Sequence, residues 1–383
     1  MVYEYKKPEF LRSILEYIAA YGISPPGTSH FVDVGTDDFI SHYRKEIVED
    51  LISKGGATCK FIEGAYGSGK THLLQILEEV SLQNGMVVAS IDLSQALGLS
   101  DWKLITKYIL VNMEAKIEGQ IVKSLPEIVD ALGTNIADEN IETLKKESLP
   151  STGFKNAIIY ILKRKNLSHY SQDLLKQYLM GNKVSTVVMR NNGLTGIKGN
   201  LTQKNAECIL KTVLASLYFL GLTGTALLFD ENEKTLVNSR RIISKKNKIA
   251  ANSIRRLIDG CSNGLLIGTV VVFAVLPGFL ENCAMNYQAL GQRLQIVRGG
   301  NQNYAWRCPI IPVHAINSAH EPEDFLLKAA GRYLQIVKVL GGNVDGLKGK
   351  LLEKGQSIIN NNVGTGYKRE LVKVLATISL ERL

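Results

Sequence analysis

Hydrophobic and polar residues follow two different periods along this chain, and each change of period marks a predicted boundary between strands and helices. Five short runs of apolar, mostly β-branched residues are typical of strands buried on both faces of a sheet. They are residues 57–63, 86–93, 226–230, 268–275 and 309–313. Segments with a helical period separate them, so the pattern predicts an α/β fold with a parallel sheet and helices on both faces.

The N-terminal part, residues 1–54, is predicted to be a helical segment. Its first helix has an apolar stripe that includes Phe10, Ile14 and Ile18, and the sequence Ser-Pro-Pro-Gly at 24–27 ends it. A second predicted helix covers residues 37–53 and leads into the first strand.

The spacing of the strands predicts a core over residues 55–315 with a large helical insertion at about 95–222. A connection of that length inside a compact domain cannot lack secondary structure. The insertion is predicted to contain a helix at 104–116 and a flexible Gly- and Asn-rich stretch at 191–200. Residues 316–383 are predicted to form a C-terminal helical lid, with helices at 323–339, 346–360 and 368–380.

Composition and charge exclude several classes of protein. The share of charged residues, 21%, and of apolar residues, 45%, is that of a soluble globular protein. Two stretches, 212–229 and 264–280, contain no charged residue. The first fits a helix that leads into a buried strand, and the second fits a buried strand, better than either fits a membrane span. The five scattered cysteines show no metal-ligand spacing, and with no apolar signal sequence at the N-terminus they favour a reducing, cytoplasmic location.

The phosphate-binding pattern G-x-x-x-x-G-K-[ST] occurs at residues 64–71, directly after the first predicted strand and before a predicted helix. In that setting glycines let backbone N–H groups surround an anion, and a helix N-terminus adds a favourable dipole. A Gly-rich turn that matches by chance is the alternative. The predicted nucleotide contacts are Gly64, Ala65, Tyr66, Gly67, Ser68, Gly69, Lys70, Thr71 and His72, with Lys70 on the β- and γ-phosphates and Thr71 on Mg²⁺.

Two carboxylates, Asp230 and Glu231, end the apolar run at 226–230. Downstream of a phosphate loop, this arrangement predicts that Asp230 contacts Mg²⁺ and that Glu231 accepts a proton from the attacking water. Alone, an Asp-Glu pair at a strand end is commonly a solvated loop. Together the two motifs favour hydrolysis over nucleotide binding alone.

Arginines are candidates for stabilising charge on the transferred phosphate. Arg293 is the candidate for a finger reaching a neighbouring subunit and Arg369 for a sensor in the lid, although each also fits an ordinary surface arginine. The run at 268–275 ends in Leu276-Pro277-Gly278, without the polar residue that would sense the γ-phosphate. The sequence therefore predicts nucleotide binding but does not predict the rate of hydrolysis.

Basic residues concentrate at 234–256, where eight Lys and Arg occur without an acidic residue, in a chain of net charge +9. A solvated loop and helix face and a nucleic-acid contact surface both fit this pattern. The candidate DNA contacts are Arg240, Arg241, Lys245, Lys246 and Lys248.

Several of these segments resemble one family of P-loop ATPases. They are residues 23–27 and 34–35, the loop with Tyr66 at 64–71, and the segments 87–94, 228–231, 252–259, 289–294 and 306–309. The chain is similar to the BrxD-type ATP-binding proteins of BREX phage-defence systems, themselves similar to the AAA+ initiators of replication. The resemblance implies a P-loop NTPase of the AAA+/ASCE type that binds ATP and Mg²⁺, acts on or near DNA, assembles with itself, and works with partner proteins of a defence operon.

Two other functions share the phosphate loop. A nucleotide-gated signalling or scaffolding protein would bind ATP, change its oligomeric state and hydrolyse slowly. A small-molecule kinase fits the long helical insertion and the helical lid poorly.

Overall fold

A computed structural model describes residues 8–93, 98–163, 167–230, 245–294, 306–316, 321–361 and 365–383 of the chain. In these residues the helices of the first half are α1 (Pro8–Tyr21), α2 (Asp37–His42), α3 (Lys70–Gln83), α4 (Trp102–Asn112), α5 (Leu125–Leu132), α6 (Asp138–Lys146), α7 (Thr152–Leu162) and α8 (His169–Leu179). Those of the second half are α9 (Thr186–Asn191), α10 (Ala206–Phe219), α11 (Lys245–Ser262), α12 (Phe279–Asn286), α13 (Gln288–Gly291), α14 (Pro322–Val339), α15 (Leu347–Asn361) and α16 (Lys368–Leu380).

One mostly parallel sheet forms the centre of the molecule. Its strands in the described chain are β1 (Ala57–Glu63), β2 (Met86–Asp92), β3 (Glu114–Ile117), β4 (Gln120–Lys123), β5 (Gly224–Asp230), β6 (Thr269–Val275) and β7 (Ile310–Pro312). Their spatial order is β4-β3-β2-β5-β6-β1-β7. Only the β3–β4 hairpin at one edge runs antiparallel to its neighbours among these strands. The five predicted strands are thus confirmed to within two residues at each end.

Both faces of the sheet are covered, as the hydrophobic pattern predicts. Alternate side chains of β6 enter two separate cores: Val270 and Val272 on one face, Val271 and Phe273 on the other. On the first face lie α2, α3 and Trp306, whose ring stacks 4.7 Å from that of Phe39. On the second face lie α4, α10 and α11 together with the helices of the insertion. All seven residues of β6 are buried, which is why the segment is so apolar.

The insertion differs from its predicted form in two places. The helix predicted over 104–116 ends at Asn112, and Glu114–Ile117 becomes a strand that pairs with β2 and turns back through Glu118-Gly119. Both turn residues have positive φ, 50° and 82°, as a two-residue hairpin requires. The stretch at 191–200, predicted to be flexible, is packed: Leu194 and Ile197 are buried in the second core.

The predicted helix at 37–53 is also wrong as a single helix. It divides into α2, a π-helical segment (Tyr43–Glu49) and a 3₁₀ turn (Ile52–Lys54). This irregular course lets Tyr43 reach the core, where its hydroxyl bonds to Ser81 of α3 at 2.7 Å.

A third hydrophobic core belongs to the C-terminal helices. Helices α14, α15 and α16 pack together, and α1 packs along α16 as part of the same core. We call α1 with α14–α16 the lid bundle. In the described residues, no helix combines the length and the hydrophobicity that crossing a membrane requires.

Candidate nucleotide site

The phosphate loop joins β1 to α3 at the C-terminal edge of the sheet. Gly67 and Gly69 have φ of +73° and +101°, values that favour glycine because a Cβ would strain the backbone. The loop therefore curls back on itself and leads into a helix of 14 residues whose N-terminus faces the loop. The positive end of a helix dipole therefore meets the curled loop, which is the geometry that binds phosphate.

Lys70 lies inside this loop. Its Nζ donates to the carbonyl oxygens of Gly64 at 2.7 Å and Ala65 at 3.2 Å, and the residue is only 8% exposed. The Tyr66 ring centroid is 5.5 Å from the same Nζ, although Tyr66 itself is 67% exposed. Ser68 Oγ is buried and has no hydrogen-bond partner in the described structure. The loop thus holds a cation and an unsatisfied hydroxyl where an anion would bind.

The structure brings Thr71 and Asp230 together. Thr71 Oγ1 donates to Asp230 Oδ2 at 2.7 Å, although 159 positions separate them in the chain. They meet because β5, which ends in Asp230, lies one strand away from β1, with β6 between them. Two adjacent oxygen ligands beside a phosphate loop fit Mg²⁺, which takes one or two protein oxygens and completes its shell with water and phosphate.

His72 is held by a residue that the sequence did not single out. Its Nε2 lies 2.9 Å from Asp33 Oδ1, and Thr36 Oγ1 donates to the other oxygen of that carboxylate. Burial alone would raise the pKa of Asp33, but the hydrogen bond and charge of His72, with the bonds from Thr36 and the Val34 amide, hold it below its usual value. The Asp33 carboxylate is therefore ionised at neutral pH.

The lid bundle contacts the loop directly. The 3₁₀ turn Thr365–Tyr367 before α16 brings Gly366 against the backbone of Tyr66 and Gly67. Two residues later, Lys368 lines a cavity that lies between the phosphate loop and the lid bundle, and its Nζ is 4.6 Å from the Phe325 ring centroid. Its neighbour Arg369, the predicted sensor, also lines the cavity, but its guanidinium donates to the Tyr21 carbonyl oxygen at 3.2 Å.

The cavity between the loop and the lid bundle has a volume of about 1140 Å³, including its open mouth. Part of its lining is the phosphate loop with Asp230. Another part is made of apolar side chains of α1, the segment after it, the lid helices and the region after β7. These are Ile18, Ile23, Val32, Val34, Val313, Ile316, Phe325, Tyr333 and Val372. A ligand with a polyanionic tail and a flat apolar ring would match both parts of this lining.

The other predicted site residues lie apart from this cavity or outside the described residues. Arg293 Nε pairs with Asp259 of α11 at 3.0 Å. Lys245 and Lys246 are the first residues of α11, and Lys248 is exposed on it. Glu231, Arg240 and Arg241 fall in segment 231–244, outside the described residues.

Asp33 and Lys368 are the functional candidates that sequence reasoning missed. Both have a sequence signal in retrospect: Asp33 directly precedes the Val34-Gly35 pair, and Lys368 directly precedes Arg369. Neither signal shows that the residue lines the cavity. That depends on the packing of α16 against α1, which joins segments more than 340 positions apart.

Comparison with known proteins identifies one family. The family model of the BREX system ATP-binding protein BrxC/D matches residues 11–165 and 152–320, which include the phosphate loop, Asp230 and most of the sheet. No curated protein and no solved structure matches the chain. Since the two matches together span most of its length, the chain belongs to the BREX system ATP-binding protein family BrxC/D.

Proposed function

We propose that this protein is a P-loop ATPase of the AAA+/ASCE type that binds ATP with Mg²⁺ in the cavity between loop and lid and hydrolyses it. The observation that carries the proposal is the hydrogen bond between Thr71 and Asp230 beside the buried Lys70. The strand order supports it, because one strand separates the two motifs. With strands about 4.8 Å apart, that spacing leaves roughly 10 Å between the ends of β1 and β5 for phosphate, metal and water.

Each residue then has a defined task. Lys70 would contact the β- and γ-phosphates, and Thr71 and Asp230 would hold Mg²⁺, which would neutralise charge on the phosphates. Glu231, next to Asp230 in the sequence, accepts a proton from the attacking water. Arg293 remains the candidate for a finger toward a neighbouring subunit and would have to leave Asp259 to act so.

Lys368 is the lid residue that we assign to the nucleotide beside Arg369. It follows the turn that touches the phosphate loop, and burial lowers the pKa of its ammonium group from 10.5 to about 8, while the charge of Asp33 opposes this effect. A bound phosphate would add to the negative charge that Asp33 already supplies to the buried ammonium group.

The pH dependence of nucleotide affinity tests this assignment. Phosphate favours charged Lys368, so binding above pH 8 must take up a proton, and affinity should fall as pH rises through about 8. We expect the dissociation constant of ADP to rise by up to about tenfold per pH unit above pH 8. Titration calorimetry at pH 7, 8, 9 and 9.5 would measure it.

The matched variant is Lys368→Met, which keeps the unbranched apolar part of the side chain and removes the titrating group. Its affinity should be weaker at pH 7 and flat between pH 7 and 9.5. An equal slope in this variant and the wild type would remove Lys368 from the site. The stability of the empty protein should depend on pH in the opposite direction. Between pH 8 and 10.5 the unfolded chain binds more protons at Lys368 than the folded chain does, so the free energy of unfolding should rise with pH over that window.

Membership of a BREX family supports a role in phage defence. We further propose that the ATPase acts on or near DNA in the cytoplasm, as a homo-oligomer and with partner proteins of its operon. The basic window 234–256 would contact phosphates through Arg240, Arg241, Lys245, Lys246 and Lys248. Its described part, the first turns of α11, has Lys248 on the surface, as a DNA contact requires.

Charge reversal tests the DNA contact. Replacing Lys245, Lys246 and Lys248 by Glu should weaken DNA binding at least about tenfold and reduce the slope of log K against log salt by about 3. Fluorescence anisotropy at several salt concentrations measures both quantities. The control reverses three exposed lid lysines, Lys338, Lys348 and Lys354. Equal losses in both variants would show a non-specific effect of net charge, and no loss in the first would leave the window a solvated face.

The alternative of a nucleotide-gated scaffold has one observation in its favour. β6 ends in Val275 and continues as Leu276-Pro277-Gly278, so no polar side chain at its end can sense the γ-phosphate. The ATPase rate and particle mass, measured with and without single- and double-stranded DNA, distinguish the two functions. Turnover stimulated by DNA supports the ATPase acting on DNA; assembly with ATP and negligible turnover supports the scaffold.

A further inference from the structure

Residues 23–36, between α1 and α2, form a strap that lies along α3. Helix α3 presents to it His72, Gln75 and Glu79, which share one face because they are spaced three and four positions apart. All three form hydrogen bonds with the strap. The helix that begins at the phosphate loop is therefore attached to the strap over two full turns.

Glu79 makes the strongest of these attachments. Its carboxylate is buried, at 7% exposure, and accepts from the backbone amides of Ser29 at 2.6 Å and His30 at 3.3 Å. His30 Nδ1 lies 2.6 Å from the same carboxylate. A buried carboxylate with three donors is costly to disturb, because each lost bond leaves a charged or polar group without a partner.

Gln75 forms the second attachment, one turn closer to the phosphate loop. Its Oε1 lies 3.0 Å from Ser29 Oγ and 3.2 Å from Ser24 Oγ, within reach of either hydroxyl proton, and its Nε2 donates to the Ser24 carbonyl oxygen at 3.3 Å. Ser24 and Ser29 are both buried and bond to each other at 2.7 Å. The start of the strap is thus fixed to α3 on both sides of its Pro-Pro turn.

The opposite side of the strap is apolar and belongs to the lid bundle. Phe31 is buried in the lid core, and Val32 and Val34 pack against it. Arg332 of α14 donates to the Asp33 carbonyl oxygen at 3.5 Å. Where the strap begins, Arg369 of α16 bonds to the Tyr21 carbonyl oxygen. The strap therefore connects α3 on its polar side to the lid bundle on its apolar side.

We propose that Glu79 and Gln75 are positioning residues for nucleotide binding: through the strap they fix the lid bundle on α3 and so place Lys368 in the wall of the cavity. Neither residue lines the cavity. They act at a distance, because the strap, the lid core and α16 are packed in series. This inference rests on the proposed nucleotide site and extends it by naming what sets the position of its lid.

The test is a double-mutant cycle between Glu79→Gln and Lys368→Met, read out as the dissociation constant of MgATP. The Gln amide keeps one acceptor but directs NH₂ at the His30 amide, a donor facing a donor. We expect Glu79→Gln to weaken binding about fivefold or more in the wild type, and less than about twofold in the Lys368→Met background. Such coupling shows that Glu79 works by placing Lys368.

A purely structural role of Glu79 predicts a different outcome. The melting temperature should fall by the same amount in both backgrounds, and the weakening of ATP binding should be equal in both. That additive result would overturn the inference. The matched control is Glu78→Gln, since the neighbouring Glu78 accepts from Ser90 Oγ at 2.6 Å on the sheet side and does not contact the strap. It should change ATP binding by less than about twofold.

Two further variants keep the outcome decisive. Gln75→Ala removes the milder attachment and enters the same cycle if Glu79→Gln does not fold; an additive result would again overturn the inference. Lys70→Ala tests the nucleotide site itself. If Lys70→Ala still binds ATP, the proposed function fails; if it does not, and Glu79→Gln is additive with Lys368→Met, only the positioning role fails.

Discussion

The variant Lys70→Ala should lose ATP binding, with a dissociation constant at least about a hundredfold above that of the wild type. Lys70 Nζ is buried in the phosphate loop and within hydrogen-bond distance of two carbonyl oxygens, so it is already desolvated at the place where phosphate would lie. Each charge-assisted bond from such a group contributes about 1.5–3 kcal/mol, and two bonds to phosphate account for a loss of that size.

The measurement is titration of a fluorescent ATP analogue, with the melting temperature as a check on folding. The informative comparison is Glu231→Gln, which should keep the wild-type affinity and lower the turnover number by about 10²–10⁴, because it removes the proton acceptor and leaves the phosphate contacts in place. Binding by Lys70→Ala within threefold of the wild type would contradict the proposed site. Unchanged turnover in Glu231→Gln would remove Glu231 from catalysis.

The fold was predictable where local pattern and burial agree. β1 was predicted over its full length, because apolar residues end abruptly at the glycines of the loop. Helix α16 was likewise predicted at both ends, since glycines precede it and an apolar stripe runs through it. In such segments the residue pattern that favours the strand or helix also determines which of its faces is buried.

Prediction failed where partners distant in sequence decide the conformation. Residues 114–117 read Glu-Ala-Lys-Ile, which favours a helix, yet pairing with β2 makes them a strand. The turn Glu118-Gly119 was the available signal. The same limit explains why α1 was not placed in the lid bundle: an apolar stripe shows that a helix is buried on one face but not which element covers it.

The site was predictable in its motifs and not in its lid. Thr71 and Asp230 could be paired because the carboxyl ends of parallel strands meet at one edge of a sheet. Lys368 and Asp33 could not be found in this way, because their position depends on how the lid bundle sits on α3. Lys368 follows Gly366 by two residues, and only the structure shows that Gly366 contacts the phosphate loop.

The variant Gly67→Ala should weaken nucleotide binding by at least about tenfold through the contact between loop and lid. A Cβ at Gly67 would lie 2.3 Å from the Gly366 carbonyl oxygen, far inside van der Waals distance. Both groups are fixed to backbone, so no side-chain rotation relieves the clash. The residue would also adopt a φ of +73°, which costs about 1–2 kcal/mol for a non-glycine residue. Either the loop or the turn before α16 must move, and Lys368 moves with that turn.

Gly119→Ala separates the clash from the backbone strain. Gly119 has a similar φ, +82°, but an added Cβ meets nothing within 4 Å, and the hairpin is remote from the cavity. This variant should lower the melting temperature and leave the ATP dissociation constant unchanged. Hydrogen exchange should then increase at the start of α16 in Gly67→Ala and not in Gly119→Ala, because only the first change separates the lid from the loop. If Gly67→Ala binds ATP like the wild type and exchanges like Gly119→Ala, the contact between Gly67 and Gly366 has no part in holding the lid.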